Sequence, residues 1–250
     1  MTIIREHTVD TNVPEIRKSA EVLIRKVPDD QQFIDVRVAV LGNVESGKST
    51  LIGVLTQNEL DNGRGKARLN LFRHLHEVQT GHTSSINHEI LGFNNQSQVS
   101  VIKFLKILNM ILILNNIIKV VNFGNCRTPE EICENSSKII TFIDLAGHSK
   151  YMKTTVFGLS SYAPDFSMLL ISANNGIAGT TKEHLGFSLA LEVPVFIVVN
   201  KTDLCQSKLL QQTLHSIEAL LKSPGVNRMP LIIKNDNDMA IAVQNFTESK

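Results

Sequence analysis

The chain has 250 residues, 42% apolar and 20% charged, with a formal net charge of +1. That length can bury a full core, and the composition is ordinary for a globular protein. A charge so near zero excludes a bulk field that would draw the chain to nucleic acid or membrane, so any such contact needs a local patch.

Residues 1–35 are mixed and polar, with one helical stretch around Pro14 to Arg25, and read as an N-terminal extension. The opening MTIIREHTVDTN lacks the apolar core of a secretory signal, so the cytoplasm is the expected compartment. The text changes at Val36, and 36–250 reads as one domain. VRVAVLGN is a β-branched run ending in a glycine turn, and GKSTLIGVL follows at helical spacing. The turn between them is Gly42-Asn43-Val44-Glu45-Ser46-Gly47-Lys48-Ser49-Thr50, which matches GxxxxGK[ST] between a strand and a helix. Glycines there let backbone N–H groups approach phosphates, and the helix N-terminus adds positive potential. Lys48 is expected on the β and γ oxygens and the Ser49 hydroxyl on Mg²⁺. This motif alone specifies a nucleoside triphosphate and leaves the base open.

Arg64, Lys66, Arg68, Arg73, His74 and His76 follow as a basic stretch without a carboxylate between Asp61 and Glu77. Read as one helix, it puts Leu69, Phe72 and Leu75 on one face. It is either a solvated amphipathic arm or a contact to ribosomal RNA phosphates. His74, His76, His82 and His88 have no acid or cysteine to complete a metal set. Val99 to Lys119 has neither flank's composition: it is rich in Ile, Leu, Asn and Lys and has no Gly, Pro, Ala, Asp or Glu. Its length invites a membrane span, but Lys103, Lys106 and three asparagines interrupt it, and no membrane partner is expected. Translated intron is the preferred reading and a buried helix the alternative. The residues are mostly those of A/T-rich codons, Val99-Ser100 can encode a splice donor, and Lys119 can supply the acceptor AG. Excision would join Gln98 to Val120.

KIITFI then leads into Asp144-Leu-Ala-Gly147-His148. Asp144 at a strand end can hold Mg²⁺ through water, and the Gly147 N–H can bond a γ-phosphate, whose loss would free the loop. His148 stands where a side chain can orient an attacking water. FSMLLISAN and VPVFIVVN are further apolar runs, separated by helix-like EHLGFSLALE, and SKLLQQTLHSIEALLK follows. Strands apolar on both faces and alternating with helices predict an α/β fold, a doubly wound, mostly parallel sheet with ligands beyond the strands' carboxyl ends. The last of these strands ends in Asn200-Lys201-Thr202-Asp203. A carboxylate at Asp203 can accept from N1–H and the 2-amino group of guanine, which adenine lacks. Asn200 would hold the purine edge or neighbouring loops, and the Lys201 stem would cover the ring. A P-loop ATPase is disfavoured on that ground. Cys126, Cys133 and Cys205 form no CxxC pair and read as idle thiols in a reducing compartment.

Together GNVESGKST, DLAGH and NGIAGTTKEHLGFSLALEVPVFIVVNKTD resemble a translational GTPase of the elongation factor Tu type. LTQNELDNGRGKARLNLFRHLHEVQTGHTSSI and GHSKYMKTTVFGLSSY resemble the GTP-binding protein 1 and 2 family more closely, from about Lys26 to Lys250. The resemblance implies a P-loop NTPase fold, Mg²⁺-dependent hydrolysis of GTP to GDP, and a link to the ribosome and messenger-RNA surveillance, with no DNA partner. A non-catalytic GTP-sensing module is the alternative. By resemblance, Thr83 falls at the switch threonine that closes over Mg²⁺ and the γ-phosphate. Val44 falls at one half of an apolar gate before the catalytic histidine, with His82 where the elongation factors carry isoleucine. Glu45 replaces the usual aspartate and Ala146 the usual proline. NRMPLIIKND reads as a further strand, but the expected last guanine loop, strand and helix do not follow it, so a truncated domain is expected.

Overall fold

The computed structural model describes residues 2–9, 17–23, 34–58, 60–93, 120–123, 126, 128–233, 235, 238 and 241–242. Strands β1 (Thr2–Val9) and β2 (Arg17–Leu23) pair antiparallel as a two-stranded sheet. The helix expected around Pro14 to Arg25 is therefore corrected: Arg17–Leu23 is a strand, because pairing with a neighbouring strand outweighs local helix preference.

The main sheet has five strands: β3 (Ile34–Gly42), β4 (Asn87–Phe93), β5 (Lys138–Asp144), β6 (Phe166–Ser172) and β7 (Val195–Asn200). Their order is β4-β5-β3-β6-β7, with β4 antiparallel to β5 and the remaining pairs parallel. The sheet is thus mostly parallel, as the two-sided apolar runs require. Along β3 the side chains alternate between two cores. Val38 and Val40 join Ile52, Leu55, Leu71, Phe93 and Phe142 on one face; Ala39 and Leu41 join Leu145, Leu159, Leu169, Leu185 and Ile217 on the other.

The α-helices among the described residues include α1 (Lys48–Gln57), α2 (Leu75–Thr80), α3 (Pro129–Glu134), α4 (Met152–Tyr162), α5 (Gly179–Ala190) and α6 (Ser207–Lys222). α1 packs Ile52 and Leu55 against the first core, whereas α4, α5 and α6 cover the second. No helix among the described residues is long and apolar enough to cross a membrane. The insert expected at Val99 to Lys119 lies outside the described residues. Among the described residues of 227–236 none lies in a strand, so the strand expected in NRMPLIIKND does not form there; Leu231 and Ile232 stay exposed instead of being shared with a neighbour.

The site-bearing loops follow from this topology. β3 lies between β5 and β6, the neighbours on which the chain winds in opposite directions, and its carboxyl end opens at that crevice. The segments after β3, β5 and β7 are 42–49, 144–148 and 200–203, so three motifs far apart in sequence share one edge.

Candidate functional site

The loop from β3 into α1 is held in a shape that needs glycine. Gly47, at φ +96°, caps α1, and a Cβ there would run into Asn200 Nδ2. Glu45 also takes the left-handed conformation. Backbone N–H groups turned this way form an anion-binding concavity. Asn200 Nδ2 donates to the Ser46 carbonyl at 2.9 Å, so Asn200 ties the first motif to the last, and the Thr180 hydroxyl donates to Asn43 Oδ1 at 2.8 Å. Beneath the loop, the buried His184 accepts the Gly42 N–H on Nδ1 at 3.1 Å. Burial, with the charge of Lys48 adding to it, lowers His184 to about 4, which keeps it the neutral acceptor that this bond needs.

Lys48 is buried and donates to the carbonyls of Gly42 at 3.1 Å and Asn43 at 2.9 Å. Burial lowers its pKa to about 8, against the opposing pull of Asp144. Gly147 comes so close that a Cβ would collide with Lys48 Nζ. The loops after β3 and β5 thus meet backbone to side chain.

Ser49 is the hub. Its hydroxyl donates to Asp144 Oδ2 at 2.5 Å and lies 2.8 Å from the Thr83 hydroxyl. Asp144 is fully buried, and its Oδ1 has no partner. Burial raises its pKa to about 6, with the Ser49 hydrogen bond and Lys48 opposing. Two hydroxyls and a carboxylate with an orphaned oxygen are hard oxygen donors, and they fit a Mg²⁺ that keeps several of its waters.

Thr83 reaches this position through a residue that the sequence reading noted only as the end of the basic stretch. Glu77, fully buried, accepts the N–H and hydroxyl of both Ser84 and Ser85 on Oε1, at 2.7–3.0 Å. Its Oε2 accepts the N–H of Arg73 at 3.0 Å and His74 at 3.2 Å. Burial pushes the carboxyl up, but these bonds outweigh it and hold the group down at about 2. The usable sequence signal was Glu three residues after His74, the spacing of a capping box.

His148 is exposed and accepts the Lys150 N–H on Nδ1 at 3.1 Å, which leaves Nε2 as the proton-bearing nitrogen. Val44, Thr50, His82, Thr83, Gly147 and His148 line one open cavity with the start of α1. Lys201 takes a left-handed turn, and Asp203 follows in a 3₁₀ turn, exposed and outside that cavity.

One expectation is corrected. The basic stretch is not one helix: a 3₁₀ turn at Lys66–Leu71 and the short α2 break it, and Ala67 and Leu71 point inward while Leu69 and Leu75 are exposed. Helical spacing failed there because Asp61 folds the chain locally, accepting the N–H groups of Gly63, Gly65 and Ala67. Of the four histidines, His74 and His76 stack ring on ring. His76 bonds the Ser84 hydroxyl and His88 stacks edge-on to Tyr162, and no cluster of three metal-ligating His, Cys, Asp or Glu exists among the described residues.

Residues 35–244 match the family model described as elongation factor Tu GTP binding domain. The whole chain aligns with mouse and human GTP-binding protein 2 at 57% identity, spanning 38% of their length. With GTP-binding protein 1 of Xenopus laevis it shares 49% over 35% of that protein. In fold it resembles the bacterial selenocysteine-specific elongation factor EF-Sec, at TM-score 0.52 and 18% identity over 87% of this chain and 29% of that one.

Proposed function

The chain belongs to the elongation factor Tu GTP-binding domain family, and from that premise we propose that it is a Mg²⁺-dependent GTPase switch acting in translation or ribosome surveillance. The observation that carries the reading is the Ser49 hydroxyl, bonded at once to Asp144 and Thr83 from segments 95 and 34 residues away. Few functions other than a shared metal and phosphate site require those three oxygens together.

In this reading the N–H groups of 43–49 and the Lys48 ammonium hold the β- and γ-phosphates of GTP. Lys48 moves from the Gly42 and Asn43 carbonyls, where it is parked now, to the phosphate oxygens. Ser49 and Thr83 would hold Mg²⁺ directly and Asp144 through water; the ion, when bound, neutralises charge between the β- and γ-phosphates. The Gly147 N–H bonds the γ-phosphate. His148 presents an Nε2–H, so it orients the attacking water as a donor and leaves proton removal to the phosphate. Water oxygen bonds to the γ-phosphorus, the bond to the β-phosphate oxygen breaks, and GDP and phosphate leave.

Asp203, exposed at the end of β7, reads guanine and the Lys201 stem covers its face. Loss of the γ-phosphate releases Thr83 and the loop that Glu77 organises, which is the conformational signal. Single-turnover hydrolysis with and without ribosomes tests the function. His148→Ala is expected to keep GTP affinity and lose ribosome-stimulated turnover; equal stimulated rates in variant and wild type would remove His148 from the mechanism. GTP binding without hydrolysis under either condition would leave only a nucleotide-sensing module.

A further inference from the structure

One cation of the basic stretch behaves unlike the rest. Arg64, Lys66 and Arg73 are exposed, whereas Arg68 is half-buried and lines the same cavity as Lys48, Thr83, Gly147 and His148. Its place is built by glycines on two sides. A Cβ at Gly65 would stand 2.5 Å from Arg68 Nε and 2.8 Å from Cζ, and one at Gly81 would stand 3.0 Å from Nη2. The Phe72 ring backs it, with Cζ 6.0 Å from the centroid.

The guanidinium held there makes no salt bridge among the described residues, and only the charge of Asp61 is felt across the turn. Nε is shut off from water and without a hydrogen-bond partner. Asp61, whose carboxyl is raised by burial but held down by three backbone N–H groups and by the charge of Arg68, has its oxygens occupied by those N–H groups. Besides Arg68, the cavity is lined by Lys48 and the exposed Glu45, with the imidazoles of His82 and His148. A half-buried planar fork with spare donors, facing a phosphate loop, is poised for a phosphate-like anion.

We propose that Arg68 is a catalytic residue supplied by the chain itself, its guanidinium bonding the γ-phosphate oxygens as the bond to the β-phosphate breaks. The inference rests on the GTPase reading above and adds a group to it. Charge spreads over the transferring phosphoryl oxygens and the leaving oxygen in that transition state, and a guanidinium fixed beside them stabilises it more than the ground state. Lys48 cannot serve alone, since its role is to hold the nucleotide in both states. Arg68 stands within the 3₁₀ turn, and Gly81 beside its guanidinium leads into the loop whose Thr83 meets Ser49, so one loop serves both the metal site and the cation.

The test uses the full 250-residue chain as wild type, Arg68→Ala and Arg68→Lys. It reads GDP affinity, capture of fluoroaluminate by the GDP complex as a transition-state probe, and single-turnover GTP hydrolysis. Both variants are expected to bind GDP within about twofold of wild type while losing fluoroaluminate capture and hydrolysis by about 10²-fold, the scale of one transition-state donor. Lysine fails with alanine because it keeps the charge without the fork. Variants that capture fluoroaluminate and hydrolyse GTP like wild type overturn the proposal. So does a loss of GDP affinity as large as the loss of rate, which would make Arg68 a binding or structural residue. Wild type that binds GTP but shows neither capture nor turnover removes the catalytic role and leaves binding intact; wild type that binds no GDP or GTP removes the parent reading as well.

Discussion

Replacing Glu77 by glutamine tests how the Thr83 loop is held. The carboxylate accepts six hydrogen bonds, four on Oε1 from Ser84 and Ser85 and two on Oε2 from Arg73 and His74. A carboxamide keeps one acceptor. If its oxygen stays with the serines, its NH₂ faces two N–H donors. Those two bonds are lost at about 1 kcal/mol each, the low end of the range, because Arg73 and His74 are exposed and water can replace them. Neutralising the acceptor weakens the four remaining bonds by about 1 kcal/mol together. The loop should therefore open about 3 kcal/mol more easily, or about 10²-fold faster amide exchange at Ser84 and Ser85. Core amides of β3, such as Ala39 and Val40, should exchange as in wild type. A second signature is pH. Glu77's folded value, about 2, lies below its ordinary 4.5, so the stabilisation is fully present above 4.5 and fades as pH falls towards 2. Wild type should show that loss in the exchange of Ser84 and Ser85, and Glu77→Gln should not. Unchanged exchange at both residues in the variant would refute the reasoning.

Gly47→Ala should weaken GDP and GTP binding by about 10²-fold or more, since the new Cβ meets Asn200 Nδ2 at a left-handed backbone position; isothermal titration reads it, and near-normal affinity would mean that the loop relaxes freely. Removing residues 99–119 should leave nucleotide affinity within about twofold and raise soluble yield. Phe93 already bridges Val120 antiparallel, and Asn122 bonds the Gly92 N–H at 2.9 Å and the Ile90 carbonyl at 2.7 Å, so the described residues on either side of 94–119 meet at one point of the sheet. Residues 94–98 are then enough to close a hairpin. Lost nucleotide binding in that variant, or native peptides from 99–119, would count against the intron reading.

What the sequence made legible was what repeats or must be glycine. Strands β3, β5, β6 and β7 announce themselves because two cores make both faces apolar, and the motif residues stand at their ends. Strand β4 was missed: Glu89 and Gly92 interrupt its text, and its identity depends on pairing with β5. β2 was misread for the same reason, a partner strand that local spacing cannot reveal. The basic stretch looked like one object because charge was its only visible property. Its members separate in the fold, Arg68 towards the phosphate loop and Arg64, Lys66 and Arg73 towards solvent, because Asp61 and Glu77 wrap the chain through side-chain-to-backbone bonds. Such bonds leave no periodic trace. The site's wiring was legible in outline only: Asn200 was expected on the purine edge or neighbouring loops and, by resemblance, Thr83 at the same ion as Ser49, but no spacing rule gives the direct bonds of Asn200 to Ser46 and Ser49 to Thr83.

The most direct measurement is base discrimination in competition for a fluorescent guanine nucleotide, with wild type and Asp203→Asn. Wild type should release the probe to GTP and GDP but not to ATP, by about 10⁴-fold, because adenine offers Asp203 no donors at N1 or C2. Asp203→Asn should lose that preference and take xanthine nucleotides, whose extra carbonyl the amide can donate to. Displacement by ATP at the same concentration as GTP, or an Asp203→Asn chain that still prefers guanine, would contradict the GTPase assignment at its base.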